Sequence, residues 1–271
     1  MNTPAPSTRL PVLSVVVPTY NERSRIEELI AAVFEVFEAS GLDGELIVVD
    51  DNSPDGTGAL VDRLTTRFGP RLRPLHRSGK LGLGSAVMEG LLSARAMVLG
   101  VMDADFSHPP DDLPNLYRAL ERTGVDAVVG SRYVPGGRVE NWPVSRRLLS
   151  RAACLLARPL TPVRDATSGF FLVRREAIRD VQIHAGGFKI CLELLLRGHA
   201  RSVAELPYLF VDRTSGKSKM NLKEAAGYLR QLRLLALHRF VGAGRGATLR
   251  YLRLRRDAWP ARAEGVSTVD G

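Results

Sequence analysis

Asp103 and Asp105 stand two positions apart at the end of an apolar run, Ala96-Met97-Val98-Leu99-Gly100-Val101. In extended backbone, residues i and i+2 point to the same side, so both carboxylates can face one ion. Hard cations such as Mg²⁺ or Mn²⁺ are held by one or two carboxylates plus substrate phosphates, and the pair therefore suits a metal–diphosphate complex. Read alone, the pair is explained equally well as an acidic turn capping the helix after Pro109 and Pro110.

A second acid-rich segment, Asp50-Asp51-Asn52-Ser53-Pro54-Asp55-Gly56-Thr57, offers carboxylates that can accept bonds from the N–H groups of a nucleobase or from ribose hydroxyls. Asp55 there reads most simply as a helix cap. Pro18-Thr19-Tyr20-Asn21-Glu22 adds an aromatic ring beside a carboxylate, an arrangement able to flank a base, although by itself it is only a turn signal.

The elements that must position these loops are legible in the apolar pattern. Residues 12–17 and 45–50 are short β-branched runs that read as strands buried on both faces. Between them Ile26, Leu29, Ile30, Val33, Phe34 and Phe37 recur at three- and four-residue spacing, which predicts an amphipathic helix. The alternation continues with helices near 57–68, 82–94 and 111–122 and strands near 71–76, 96–102 and 125–130. This is an α/β pattern, a mostly parallel central sheet flanked by helices with right-handed crossovers. Ligands of such sheets collect at the carboxyl ends of the strands, where all three acidic loops fall.

With 271 residues, 45% hydrophobic and 25% charged, the chain is ordinary globular protein. Two cysteines, Cys154 and Cys191, exclude a disulfide scaffold and lack zinc-site spacing. The segment Met1–Leu13 has no apolar signal core, and no stretch approaches the roughly 18 apolar residues of a spanning helix. The expected location is cytoplasmic.

Taken in order, the two segments around Tyr20 and Asp51, then Lys80-Leu81-Gly82-Leu83-Gly84, then Asp103-Ala104-Asp105, resemble the family 2 glycosyltransferases of the GT-A (Rossmann-like) fold. Later segments narrow the likeness. Gly130-Ser131-Arg132-Tyr133 with Pro135-Gly136-Gly137, Asn141-Trp142-Pro143, Ser168 to Arg174, and Asp212 to Lys219 look like dolichyl- or polyprenyl-phosphate mannose synthases, so that the resemblance covers about residues 12–238.

The resemblance implies transfer of mannose from GDP-mannose to polyprenyl phosphate, with inversion and with Mg²⁺ or Mn²⁺ as cofactor. By position, Pro18, Tyr20, Glu22, Val49 and Asp51 would hold the nucleotide, and Asp103, Ala104 and Asp105 the metal and diphosphate. Arg132, Arg213 and Lys219 match positions that contact donor or acceptor phosphates, and Arg146 with Ser150 matches the acceptor-phosphate site. Asp105 and Arg132 would be the catalytic pair. Ser107 stands where some relatives carry a glutamine metal ligand, and its hydroxyl is shorter and weaker in that role. The stretch Thr214-Ser215-Gly216-Lys217-Ser218-Lys219 reads as a lid over the donor.

Several residues carry blander readings. His108 is either a ligand or a polar contact, while His76, His184, His199 and His238 show no ligand spacing. Lys189 and Glu193, one helical turn apart, read as a surface pair.

The basic excess is concentrated: residues 201–271 carry 14 basic and 6 acidic residues, eight of the nine net positive charges. The domain expectation is a catalytic domain over 1–240 and a basic, flexible tail over 241–271. Residues 221–240 and 248–256 interleave leucines with basic residues, so they either form basic amphipathic helices on an anionic membrane surface, or a packed helix followed by a solvated tail. The expected partners are accordingly GDP-mannose, the lipid, the cytoplasmic face of a membrane as a peripheral surface, and a membrane-anchor subunit. Another donor such as UDP-glucose keeps the fold and the acceptor. A nucleic-acid-binding role for the tail lacks a zinc finger, an RNP signature or a helix-turn-helix, and no nucleic acid is expected. Gly82 to Val87 lacks the third glycine of a dinucleotide fingerprint and does not follow the first strand.

Overall fold

The computed structural model describes residues 10–181, 189–212, 222–241 and 248–255. Two seven-residue strands, β1 (Leu13–Thr19) and β2 (Gly44–Asp50), pair in parallel with Thr19 opposite Asp50. Both are almost wholly buried, as their apolar runs require. Between them α1 (Arg23–Ser40) buries Ile26, Leu29, Ile30, Val33, Phe34 and Phe37, the stripe read from spacing. Each such side chain removed from water contributes about 1.5–3 kcal/mol.

The chain continues through α2 (Thr57–Phe68), β3 (Leu72–His76), α3 (Leu83–Ser93), β4 (Val98–Val101), α4 (Leu113–Thr123) and β5 (Ala127–Ser131). After a short strand β6 (Arg138–Glu140) come α5 (Val144–Ala157), β7 (Phe171–Arg174), α6 (Ile190–Arg197), β8 (Ser202–Pro207), β9 (Leu209–Val211), α7 (Leu222–Phe240) and β10 (Arg250–Arg253). Eight strands form one sheet in the order β10-β8-β5-β7-β4-β1-β2-β3, and β6 pairs with β9 beside it. Every pairing in the large sheet is parallel except the two made by β7. β5 therefore runs with β4 and β1, and the loops after β1, β2, β4 and β5 all leave one edge.

Alternate strand residues feed different cores. Val15 and Val17 pack with α1 and α4, whereas Val16 and Val49 pack with α3 and α6. Gly90 of α3 is a required close approach, because a Cβ there would lie 2.4 Å from Val16 Cγ1. A third cluster joins Ala157 of α5, Leu192 of α6 and Tyr228, Leu232 and Leu235 of α7.

Residues 250–253 depart from the sequence pattern, whereas α7 follows one of the two readings offered for it, the packed helix. Residues 250–253, in the segment offered either as a helix or as solvated tail, form β10 in parallel with β8. The reason is packing: Leu252 and Leu254 lie against one core cluster and Tyr251 against the other. α7, for its part, packs on the domain through one face while leaving Leu229 and Leu237 exposed.

Candidate active site

The loop after β4 begins with Met102, whose N–H continues the sheet by bonding Val16 O at 3.1 Å. The next N–H, of Asp103, donates to Nδ1 of His108 at 2.9 Å. That bond makes Nδ1 the acceptor, so the ring proton sits on Nε2, 3.8 Å from Asp103 Oδ2. His108 stacks on Phe170 with centroids 5.1 Å apart and meets Tyr208 and Phe210 edge-on. Burial in this aromatic box lowers its pKa, against the opposing pull of Asp103 and Asp105. His108 is thus a neutral polar contact that sets the Asp103 backbone.

Ala104 is buried between the two aspartates, while the Asp103 side chain is 43% exposed. β4 ends at Val101 and residues 104–105 lie in a turn, so the two carboxylates are set by the turn and not by the extended i, i+2 alternation read from the sequence, and Asp105 is half-buried. Asp105 Oδ1 accepts the Ser107 N–H at 3.1 Å, and Ser107 itself is buried. Phe106, between them, has φ 61°, a left-handed conformation that strains a bulky residue. The loops after β1 and β2 have left-handed residues too, Asn21 (φ 61°) and Asn52 (φ 56°), of a type that tolerates them.

Across the loop lies Gly169. A Cβ there would meet both Asp103 carboxylate oxygens at 3.4 Å and His108 Cε1 at 3.2 Å. Its absence leaves room at the carboxylate. Among the described residues no group of three His, Cys, Asp or Glu side chains could hold a metal ion. A cation held here would rest on the two aspartates and complete its shell with water and phosphate oxygens, which is how Mg²⁺ is usually bound.

The acids after β2 divide by role. Asp50 builds its own loop, accepting bonds from Thr19 Oγ1 at 3.2 Å and Ser53 N at 2.9 Å. Asp55 accepts the Thr57 N–H at 2.9 Å and the Arg23 N–H at 3.1 Å. Burial opposes its ionisation, but the bonds from Thr57 and Arg23 hold its carboxyl below the ordinary value; the N-cap of α2 is Gly56, so Asp55 stands one residue before the expected cap position. Asp51 is buried, ion-paired with Arg77 and bonded by Gly82 N at 3.1 Å. Arg77 reaches Glu89 at 2.9 Å and Ser85 at 2.7 Å with its other donors, a partner that nothing in the local sequence announced. Tyr20 has Lys80 Nζ 3.9 Å from its ring centroid. Pro18 and Glu22 are half-buried on the same edge, whereas the Val49 side chain lies wholly in the core.

Arg132 follows β5 and is buried. Its Nε donates to Asp165 Oδ2 at 2.7 Å, and Nη2 donates to Asp165 Oδ1 at 2.6 Å and Thr167 Oγ1 at 2.9 Å. The guanidinium lies about 5.3–5.4 Å from the rings of Trp142, Tyr133 and Phe210. Asp165 is held in turn by its own N–H, which donates to Glu205 Oε1 at 2.9 Å, while Tyr251 of β10 donates to Glu205 Oε2 at 2.7 Å. Sequence reading missed Asp165 and Glu205, because a lone acid in a loop, or within an otherwise apolar strand such as β8, carries no local signal.

Arg146 at the start of α5 pairs with Asp212 at 2.6 Å and lies 4.3 Å from the Trp142 ring centroid. Ser150 is one turn further along the same helix. Trp142 Nε1 is buried and has no acceptor among the described residues. Arg213, Lys219 and the lid stretch lie outside the described residues.

Lys189 and Glu193 are not a surface pair. Glu193 is buried and accepts Gln231 Nε2 at 2.9 Å, with Arg197 3.2 Å away. α6 is buried almost throughout, which is why the spacing misled. Burial and the nearby Arg132 lower the pKa of Lys189, with Asp103 and Asp165 opposing. This side chain belongs to the same electrostatic cluster as the strand-end acids.

The family model described as Glycosyl transferase family 2 matches residues 14–182. Among curated proteins the chain is similar to the dolichol-phosphate mannosyltransferase of Pyrococcus furiosus, 40% identical over 81% of this chain and 62% of that protein. The dolichol-phosphate mannosyltransferase of Saccharomyces cerevisiae is 38% identical over 84% and 88%, respectively. The polyprenol monophosphomannose synthase of Mycolicibacterium smegmatis is 40% identical over 78% and 83%. The chain therefore spans less than two thirds of the archaeal relative and more than four fifths of the other two.

Two solved structures share the fold. Glucosyl-3-phosphoglycerate synthase from Mycobacterium tuberculosis, in complex with Mn²⁺, UDP and glucosyl-3-phosphoglycerate, superposes with TM-score 0.60 at 24% identity over 84% of this chain and 80% of that one. The mannosyltransferase PcManGT from Pyrobaculum calidifontis, in complex with GDP-Man and Mn²⁺, gives 0.59 at 22% identity over 85% and 65%. At that identity they speak to the GT-A fold alone. The family model and the yeast relative together, read with a strand-end acidic pair on a mostly parallel sheet, show that the chain belongs to glycosyl transferase family 2.

Proposed function

We propose that the chain transfers mannose from GDP-mannose to the phosphate of a polyprenol, inverting the anomeric centre. The observation that carries this reading is that Asp103 and Asp105 share one electrostatic neighbourhood with Arg132 and Lys189, while Arg132 and Arg146, each already paired with an aspartate, both lie on the ring of Trp142. The names of the curated relatives point to the same donor sugar and class of acceptor.

The reaction is a single displacement. An oxygen of the acceptor phosphate attacks the anomeric carbon, the bond from that carbon to the diphosphate oxygen breaks, and GDP leaves with the electron pair. A phosphate monoester is mostly anionic at neutral pH, so no strong base is needed. What the chain must do is bring two anions together. Asp103 and Asp105, with Ser107 nearby, would hold a divalent cation, Mg²⁺ or Mn²⁺, and such a cation would supply charge neutralisation at the leaving diphosphate.

Arg132 keeps Nη1 for an anion, since Asp165 and Thr167 occupy Nε and Nη2. Arg146, Ser150 and the unsatisfied Trp142 N–H offer donors on the acceptor side. Lys189 adds a positive charge on the donor side. Tyr20, Glu22, Pro18, the Val49 backbone and Asp51 would line the nucleotide end, and Arg213 and Lys219, which lie outside the described residues, are proposed for the phosphates by their place in the sequence alone.

No helix among the described residues is long and apolar enough to cross a membrane. The lipid acceptor is then met at the cytoplasmic face by a peripheral protein, with or without a separate anchor subunit. Incubation with labelled GDP-mannose or UDP-glucose, each with polyprenyl phosphate and Mn²⁺, tests the reading. Mannolipid formed only from GDP-mannose supports it, and glucolipid from UDP-glucose alone replaces the donor.

A further inference from the structure

Among the described residues, five of the fifteen exposed large hydrophobic side chains lie on one 14-residue helix, α5: Val144 (70%), Leu148 (61%), Leu149 (46%), Leu155 (70%) and Leu156 (54%). At 100° per residue, Val144, Leu148 and Leu155 fall on one stripe, with Leu149 and Leu156 beside it. The opposite face is anchored. Cys154 and Ala157 are buried, and the Ala153 carbonyl accepts the Tyr228 hydroxyl of α7 at 2.8 Å.

One border of the leucine stripe is formed by Arg147, Arg151 and Arg158, all exposed. That border overhangs an open cleft of about 540 Å³ between α5 and the loop Tyr133–Gly137. Arg132, Arg151, Arg158 and Arg164 line the cleft, and none of its lining residues is acidic. Arg132 is already neutralised by Asp165. Arg151, Arg158 and Arg164 make no ion pair with a carboxylate among the described residues, although the buried Glu205 lies behind Arg164 and accepts its backbone N–H at 2.7 Å. Arg158 Nη1 is steadied on the Pro162 carbonyl at 2.7 Å. An apolar stripe edged by unneutralised guanidiniums matches a surface that is apolar inside and anionic at its rim.

We propose that α5 docks on an anionic lipid bilayer, its leucines entering the headgroup boundary and the cleft of Arg151, Arg158 and Arg164 receiving a lipid headgroup phosphate. The inference deepens the proposed function and rests on it for the lipid nature of the acceptor. The docking itself requires no turnover. The cleft adjoins the proposed active site through Arg132, which lines it, while Arg151, Arg158 and Arg164 belong to its outer part and have no part in the proposed transfer.

The test uses the full chain sedimented with phosphatidylcholine vesicles, with and without phosphatidylglycerol, beside a transfer assay on a short, water-soluble polyprenyl phosphate. Wild type is expected to partition onto the anionic vesicles only, and the triple variant Arg151→Gln/Arg158→Gln/Arg164→Gln to bind them on the order of 100-fold more weakly. Leu148→Ser/Leu155→Ser loses partition as well. Both variants keep transfer to the short acceptor. Equal partition of wild type onto the two vesicle types, undiminished binding by the triple variant, or binding of a DNA duplex without vesicle binding overturns the proposal. Vesicle binding as expected with no transfer by wild type leaves the docking face standing and removes the proposed reaction instead.

Discussion

Arg132 and Asp165 face each other as a two-pronged ion pair, Nε to Oδ2 at 2.7 Å and Nη2 to Oδ1 at 2.6 Å, with side chains 7% and 0% exposed. The pair leaves one edge of the guanidinium for an anion and fixes where that edge points. A charge so placed depends on its partner.

Asp165→Asn is therefore expected to cost about 3–5 kcal/mol in urea unfolding, because it leaves a buried guanidinium without its counter-charge. Burial pushes the Asp165 carboxyl up, but Arg132 outweighs it and holds the group below its ordinary value of 3.8. A carboxyl depressed in the folded state contributes stability that is complete above its unfolded value and is lost as pH falls through the folded value. Wild type should lose this component only below about pH 3.8, and the variant should lack it. Identical acid limbs in the two proteins would refute the assignment.

Asp105→Asn should abolish transfer, a loss on the order of 10²–10³ or more, while leaving the urea midpoint within about 0.5 kcal/mol of wild type. Asp105 is half-buried and its Oδ1 accepts the Ser107 N–H, a bond that the amide oxygen of asparagine can also accept. Labelled-mannose transfer at saturating donor is the measurement. Full activity would contradict a cation at this pair.

Gly169→Ala tests the space beside Asp103. The added methyl would touch both carboxylate oxygens at 3.4 Å, an ordinary contact, and crowd the His108 ring at 3.2 Å, so that ring, whose Nδ1 holds the Asp103 N–H, must give by a few tenths of an ångström. We expect a higher KM for Mn²⁺ and about a 10-fold loss in kcat/KM, with near-normal stability. An unchanged metal titration would mean that the cation does not sit on this side of Asp103.

Tyr251→Phe keeps the ring and removes the hydroxyl that donates to the buried Glu205 carboxylate. A hydrogen bond to a charged group is worth about 1.5–3 kcal/mol, and a loss of that size is expected in thermal or urea unfolding. Because Glu205 also holds the Asp165 backbone, kcat/KM should fall in parallel. Wild-type stability in the variant would show that β10 is dispensable.

The positions of the strand-end loops were readable from the sequence. The stripe from Ile26 to Phe37 names the buried face of α1 without help from the rest of the chain. Asp103 and Asp105 flank the buried Ala104, but in a turn beyond the end of β4, where strand alternation no longer applies. Lys189 and Glu193 went astray because a helical spacing says which residues share a face but not which face is covered. Here neighbouring elements enclose Glu193 and most of α6.

By itself the sequence determined the α/β alternation and the placing of acidic loops at strand ends, since periodicity, turn residues and caps are local properties of the chain. Tertiary structure alone decided which distant groups meet. Asp51 finds Arg77 26 positions away, Arg132 finds Asp165 33 positions away and Glu205 finds Tyr251 46 positions away. It also reversed β7 within the sheet and drew residues 250–253 to its edge. Such pairings follow from how buried charges and strand edges are satisfied across the whole fold, and no local pattern encodes them.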